Sequence, residues 1–110
     1  MPIRIFRSSR VRSQRSERQL AEQVTGRVTP ASGALPNPFL KADVRSSSCV
    51  FEDKTTLKDS FPVKVALWHK LRAQAFPSRK TSVLSINFET VGLRLFVLDS
   101  ATFAKIRKHL

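Results

Sequence analysis

Eight acidic residues stand against twenty Lys and Arg in this chain, so the placement of each carboxylate carries information. Asp43 lies between Ala42 and Val44, while Glu52 and Lys54 follow the apolar run Cys49-Val50-Phe51. Side chains alternate faces along a strand, which puts Glu52 and Lys54 on one face and Asp53 on the other. If the two runs pair as a hairpin around the polar turn Arg45-Ser46-Ser47-Ser48, Asp43 approaches Glu52 across the ladder. Two carboxylates at close range repel, and a divalent cation relieves the repulsion. Mg²⁺ is commonly held by one or two carboxylates together with waters and phosphate oxygens, with Mn²⁺ as the expected substitute. An ion so held activates water and neutralises charge developing on a phosphodiester. Lys54 is then placed to orient or deprotonate that water, or to stabilise the charged transition state. The competing reading is structural, since Glu-x-Lys on a strand also forms an ordinary same-face ion pair.

Glu17 is the fourth candidate. At 100° per residue it falls between Leu20 and Ala21 and within about 20° of Val24, on the apolar stripe of a predicted helix. An unpaired carboxylate there is costly. It requires a buried basic partner such as Arg27, a frayed helix start, or a role linked to a metal.

A net charge of +12 over 110 residues, with a sequence pI near 11.4, selects polyanions as partners. Because the charge is spread along the chain rather than set beside one large apolar face, nucleic acid is favoured over a membrane surface. The single cysteine, Cys49, excludes an internal disulfide framework and a thiolate zinc cluster. No apolar run approaches the ~20 residues of a membrane span, and no Gly-rich phosphate loop supports a nucleotide cofactor. The expectation is a soluble cytoplasmic protein, cellular or virus-encoded. The Arg- and Ser-rich start also has the composition of an organelle transit peptide.

The elements that must position these groups are legible from periodicity. Residues 1–14, with Arg4, Arg7, Arg10 and Arg12 and no acid, read as a flexible basic arm. Residues 15–110 read as a single domain. A helix is predicted over Ser13–Thr25, with Gly26 as its stop. Pro30, Gly33, Pro36 and Pro38 mark a short extended piece followed by a loop. Strands are predicted at Ala42–Val44 and Cys49–Thr55. A second helix is predicted from the Asp59-Ser60 cap and Pro62, with Phe61, Val65, Trp68, Leu71 and Ala75 on its buried side and Pro77 at its end. Strands Val83–Phe88 and Leu93–Leu98 flank a hairpin at 89–92. A basic helix over Ala101–Lys108, capped by Ser100, closes the chain. The order α-β-β-β-α-β-β-α predicts an α/β fold with a mixed central sheet flanked by helices.

Taken in order, Glu17-Arg18, the loop Gly26-Arg27-Val28-Thr29-Pro30-Ala31-Ser32-Gly33-Ala34, Asp43-Val44 and Phe51-Glu52-Asp53-Lys54-Thr55 resemble the PD-(D/E)XK nuclease superfamily. Within it they are similar to Holliday-junction resolvases of the archaeal and phage type. The resemblance covers residues 17–55 closely, and the Trp68 helix and the Phe96-Val97-Leu98 strand agree in order and spacing. It implies a restriction-endonuclease-like fold and a metal-dependent structure-selective DNA endonuclease acting on branched double-stranded DNA as a homodimer. By position it implies Asp43 and Glu52 as metal ligands and Lys54 as the catalytic lysine. Glu17 becomes the helix-borne acid and Ser32 the loop serine at the scissile phosphate or its water. The 33–40 segment matches a mobile loop that embraces the branch point. Two positions depart from the pattern. Ala42 replaces the nominal Pro, and Asp53 stands where the residue is often apolar, implying that its face of the sheet is open or covered by a basic helix. Related enzymes include nickases, flap-type and restriction endonucleases, and a non-catalytic nucleic-acid-binding protein is the alternative outside the superfamily.

Phosphate contacts are expected from Arg10, Arg12, Arg15 and Arg18 near the N-terminus, and from Arg27, Lys41, Arg45, Lys58 and Lys64 around the acids. His69 and His109 have no metal-spaced partner and read as solvent-facing. Cys49 reads as a buried inert thiol and Trp68 as core.

Overall fold

The computed structural model describes residues 8–29 and 43–110. Helix α1 spans Ser9–Gln23, and the Ser8 side chain accepts from the Val11 N–H at its start. Residues 9–14 therefore form the first half of α1, four residues ahead of the predicted start, whereas residues 1–7 lie outside the described set. Ser16, Leu20 and Ala21 make its buried stripe. The helix stops at Val24 through Thr25, whose φ of 53° is left-handed, and not through Gly26. Gly26 is required for a different reason. A Cβ there would stand 2.7 Å from the Arg45 carbonyl oxygen, so only glycine lets the chain pass this close to the next strand.

Five strands form one mixed sheet in the order β1-β2-β3-β4-β5. They are β1 (Arg27–Val28), β2 (Val44–Arg45), β3 (Cys49–Thr56), β4 (Thr81–Phe88) and β5 (Leu93–Val97). The pairs β1–β2, β2–β3 and β4–β5 are antiparallel, and β3–β4 is parallel over eight residue pairs. The parallel pair needs a crossover, which α2 (Val65–Ala75) supplies. The serine-rich β2–β3 turn is tight because Ser46 N–H donates to the Cys49 carbonyl and Ser46 Oγ accepts from Cys49 N–H. Gly92, at φ 63°, closes the β4–β5 connection. Helix α3 (Ser100–Ile106) is capped by Asp99, whose carboxylate accepts from Thr102 N–H at 2.8 Å. This replaces the expected Ser100 cap.

Each face of the sheet is covered by a helix. Val50, Leu84 and Ile86 pack with Leu71 and Ala75 of α2, joined by Phe61, Leu67 and Trp68. Val44, Phe51 and Val83 pack with Leu20 and Ala21 of α1. Helix α2 begins later than the Asp59-Ser60-Phe61-Pro62 signal suggests: Lys64 is its cap, and Val65 is exposed rather than buried. Phe61 still reaches the core from the extended segment before the helix, because an aromatic anchor needs only proximity and not helical backbone. Among the described residues no helix is long and apolar enough to cross a membrane.

Candidate active site

The shortness of β2 creates the site. The ladder pairs Val44 with Phe51 and Arg45 with Val50, so continuing the register sets Asp43 opposite Glu52. Beyond Phe51, β3 has no strand beside it on this side among the described residues. The Asp53 N–H, which would otherwise lack a ladder partner, donates to Asp43 Oδ2 at 2.7 Å. Asp43 thus substitutes a side-chain oxygen for a backbone carbonyl, and this fixes its carboxylate against β3.

Glu52 is 5% exposed and takes Lys54 as its ion-pair partner at 3.3 Å. The two share a face, as strand alternation predicts, and the Lys54 side chain remains about one-third exposed. Glu17 comes in from α1. Its neighbours are the carboxylates Asp53, Asp43 and Glu52, and not Arg27. Partial burial and Asp53 raise its carboxyl above the usual range, opposed by a side-chain hydrogen bond with Asp43. Asp43 is raised to about 7 by burial and then by the Glu52 charge, against the opposing hydrogen bond from Asp53 N–H. A carboxyl half-protonated near neutrality, with a second carboxylate across the ladder, is a seat for positive charge.

Among the described residues, no three His, Cys, Asp or Glu side chains converge closely enough to hold a metal ion. The acids gathered here are Asp43 and Glu52, opposite each other in the continued register, with Glu17 near them. Carboxylates are the hard oxygen donors that a Mg²⁺ ion would take. They would not make a soft-metal site.

Asp53, between the two site residues of β3, points to the face covered by the basic helix α1, as one of the two expected alternatives had it, but its ion-pair partner comes from β5 and not from that helix. Arg94 of β5 donates to its Oδ1 at 2.8 Å, with the two side chains 9% and 1% exposed. The same guanidinium donates to Ser85 Oγ at 2.9 Å and to the Ser16 carbonyl and hydroxyl at 3.1 Å. Asn87 Nδ2 adds a bond to Ser16 Oγ. These residues lock α1 to the sheet one position from Glu17. Sequence reasoning passed over Arg94 and Ser16, although Arg94 is the one charge in the otherwise apolar run Leu93–Val97.

Around the acids, Arg27 and Arg45 face each other on β1 and β2. Register places both on the Val50 face, which Glu52 and Lys54 share. Arg10, Arg15 and Arg18 are exposed on α1, and Lys58 and Lys64 are exposed between β3 and α2. Arg12 is not a free arm residue, since it pairs with Glu89 at 3.5 Å. Ser32, Lys41 and the 33–40 loop lie outside the described residues. Cys49 is half-buried rather than buried, His69 and His109 are exposed, and Trp68 packs on the core.

No protein-family model, characterised protein or solved structure gives a match to this chain.

Proposed function

We propose that the chain is a Mg²⁺-dependent, structure-selective DNA endonuclease that resolves four-way junctions. The observation that carries this reading is the meeting of Asp43, Glu52, Lys54 and Glu17, from β2, β3 and α1, in a protein of net charge +12. The restriction-endonuclease-like topology is part of the same proposal. In support of it, a leading helix is followed by three antiparallel strands and then, through a helical crossover, by a strand parallel to the third.

Asp43 and Glu52 would hold the ion, which when bound supplies an activated water and neutralises charge on the phosphodiester. Lys54, next to Glu52 and open to solvent on one side, donates to the reacting phosphate and offsets the charge that grows on it. The Asp53 N–H keeps Asp43 aimed while this happens. Glu17, which burial and Asp53 raise above the usual carboxyl range, completes the acidic cluster from α1. Arg27 and Arg45 bind the flanking backbone. Recognition through phosphates implies weak sequence preference and steep salt dependence.

The test is cleavage of a labelled four-way junction and its matching duplex, in Mg²⁺ or EDTA, by wild type and Glu52→Gln. Paired symmetric nicks on the junction, lost in EDTA and in the variant, are expected. Cutting of both substrates would keep the nuclease and remove its branch selectivity. Binding without cutting in any divalent metal would overturn the enzyme.

A further inference from the structure

At the other end of β4 lies a cavity of about 540 Å³, lined by Arg72, Ala75, Phe76, Pro77, Arg79, Lys80 and Ser82. Three of these seven residues are cationic and none is acidic. Phe76 is 82% exposed, although burying such a ring would gain about 1.5–3 kcal/mol. The Phe76 backbone is set by the end of α2, which closes in a tight 3-10 turn over Phe76–Ser78 with the Arg79 N–H donating to the Phe76 carbonyl at 3.1 Å. Arg79 and Phe76 both line the cavity. Lys80 is fixed as well, with its Nζ donating to the Ser46 carbonyl at 2.7 Å. None of these residues belongs to the acidic site. Ser82 precedes by two residues Leu84, the β4 partner of Glu52, so the cavity and Glu52 share a face of the sheet.

We propose that this cavity binds an unpaired nucleotide of a single-stranded nucleic-acid segment. Its base would stack on Phe76, and its phosphates would contact Arg79, Lys80 and Arg72. A flat, exposed aromatic beside cations is the chemistry that holds single strands, because every base offers a π-face and every linkage a charge. Duplex DNA offers the charge but keeps its bases stacked on one another. The volume falls within the range of small-ligand pockets. The inference needs only binding, and it stands or falls independently of cleavage at Asp43 and Glu52.

The experiment is fluorescence anisotropy of the full chain in EDTA with three labelled probes of equal length: oligo-dT, an abasic oligonucleotide and a blunt duplex. Wild type, Phe76→Ala, Arg79→Gln and, as a control away from the cavity, Arg18→Gln are compared. Phe76→Ala is expected to weaken oligo-dT about tenfold while leaving the abasic strand and the duplex unchanged. Arg79→Gln should weaken oligo-dT and the abasic strand alike, and more than Arg18→Gln does. Because Phe76 is exposed, circular dichroism should show an unaltered fold. An unchanged oligo-dT affinity in Phe76→Ala, or equal losses on oligo-dT and the abasic strand, would overturn the proposal. So would competition by an oligo-aspartate that Phe76→Ala also weakens, which would give the cavity to an acidic protein.

Discussion

Asp43→Asn should make the metal-free protein more stable at alkaline pH. In the folded chain the Asp43 carboxyl is raised from 3.8 to about 7, by burial first and by the Glu52 charge second. A raised carboxyl binds its proton more tightly in the folded than in the unfolded state. The stability it contributes is therefore fully present below its unfolded value of 3.8 and is lost as pH rises through about 7. The whole span corresponds to roughly 4 kcal/mol, of which more than half falls between pH 5 and pH 8. That is a large part of the stability of a small domain. Asparagine keeps the oxygen that accepts the Asp53 N–H and cannot ionise. Urea unfolding followed by the fluorescence of Trp68, in EDTA at both pH values, gives the double difference in which other groups largely cancel. Wild type should lose stability between pH 5 and pH 8 relative to the variant, and Mg²⁺ should restore it to wild type alone. An equal pH slope in both proteins, or a variant less stable than wild type at pH 8, would refute the claim that this carboxyl is held against its own charge.

Three further outcomes are expected. Arg94→Met should cost about 3–5 kcal/mol in denaturant unfolding because it strands a buried Asp53, whereas Asp53→Leu with Arg94→Met should recover most of the loss. Gly26→Ala should lower the melting temperature, with a cost of about 1–3 kcal/mol, because its methyl meets the Arg45 carbonyl oxygen at 2.7 Å. Removing Arg27 or Arg45 as glutamine should weaken DNA binding across sequences and reduce the slope of log affinity against log salt by about 1 each.

What was legible in the sequence follows the range of the forces involved. The order of elements and the approach of Asp43 to Glu52 rest on local signals, namely strand alternation, a serine turn and the apolar stripe of α2. The first turns of α1 carried no such signal. Ser9-Arg10-Val11-Arg12 has one apolar residue, and the helix gains its stability from the docking of Ser16, Leu20 and Ala21 further on. The left-handed residue fell on Thr25 because Gly26 was already committed to the close approach to β2. At α2, Pro62 and the Asp59-Ser60 pair imitate a helix start, but the chain stays extended so that Phe61 can reach the core. The Asp53–Arg94 pair joins positions 41 residues apart. Periodicity sees one strand at a time, so it can flag the misplaced charges without pairing them.

The reach of Arg94 also bears on how the chain is made. Its guanidinium contacts Ser16 across 78 positions of sequence, so α1 has no finished seat until β5 has been synthesised. Until then α1, with its four arginines, is unseated while the acids at 43, 52 and 53 are already synthesised. Glu17 joins Asp43 and Glu52 only when the polar lock beneath α1 closes. A ribosome-bound chain stopped before Leu93 should therefore expose α1 to protease, and one extended past Leu110 should protect it.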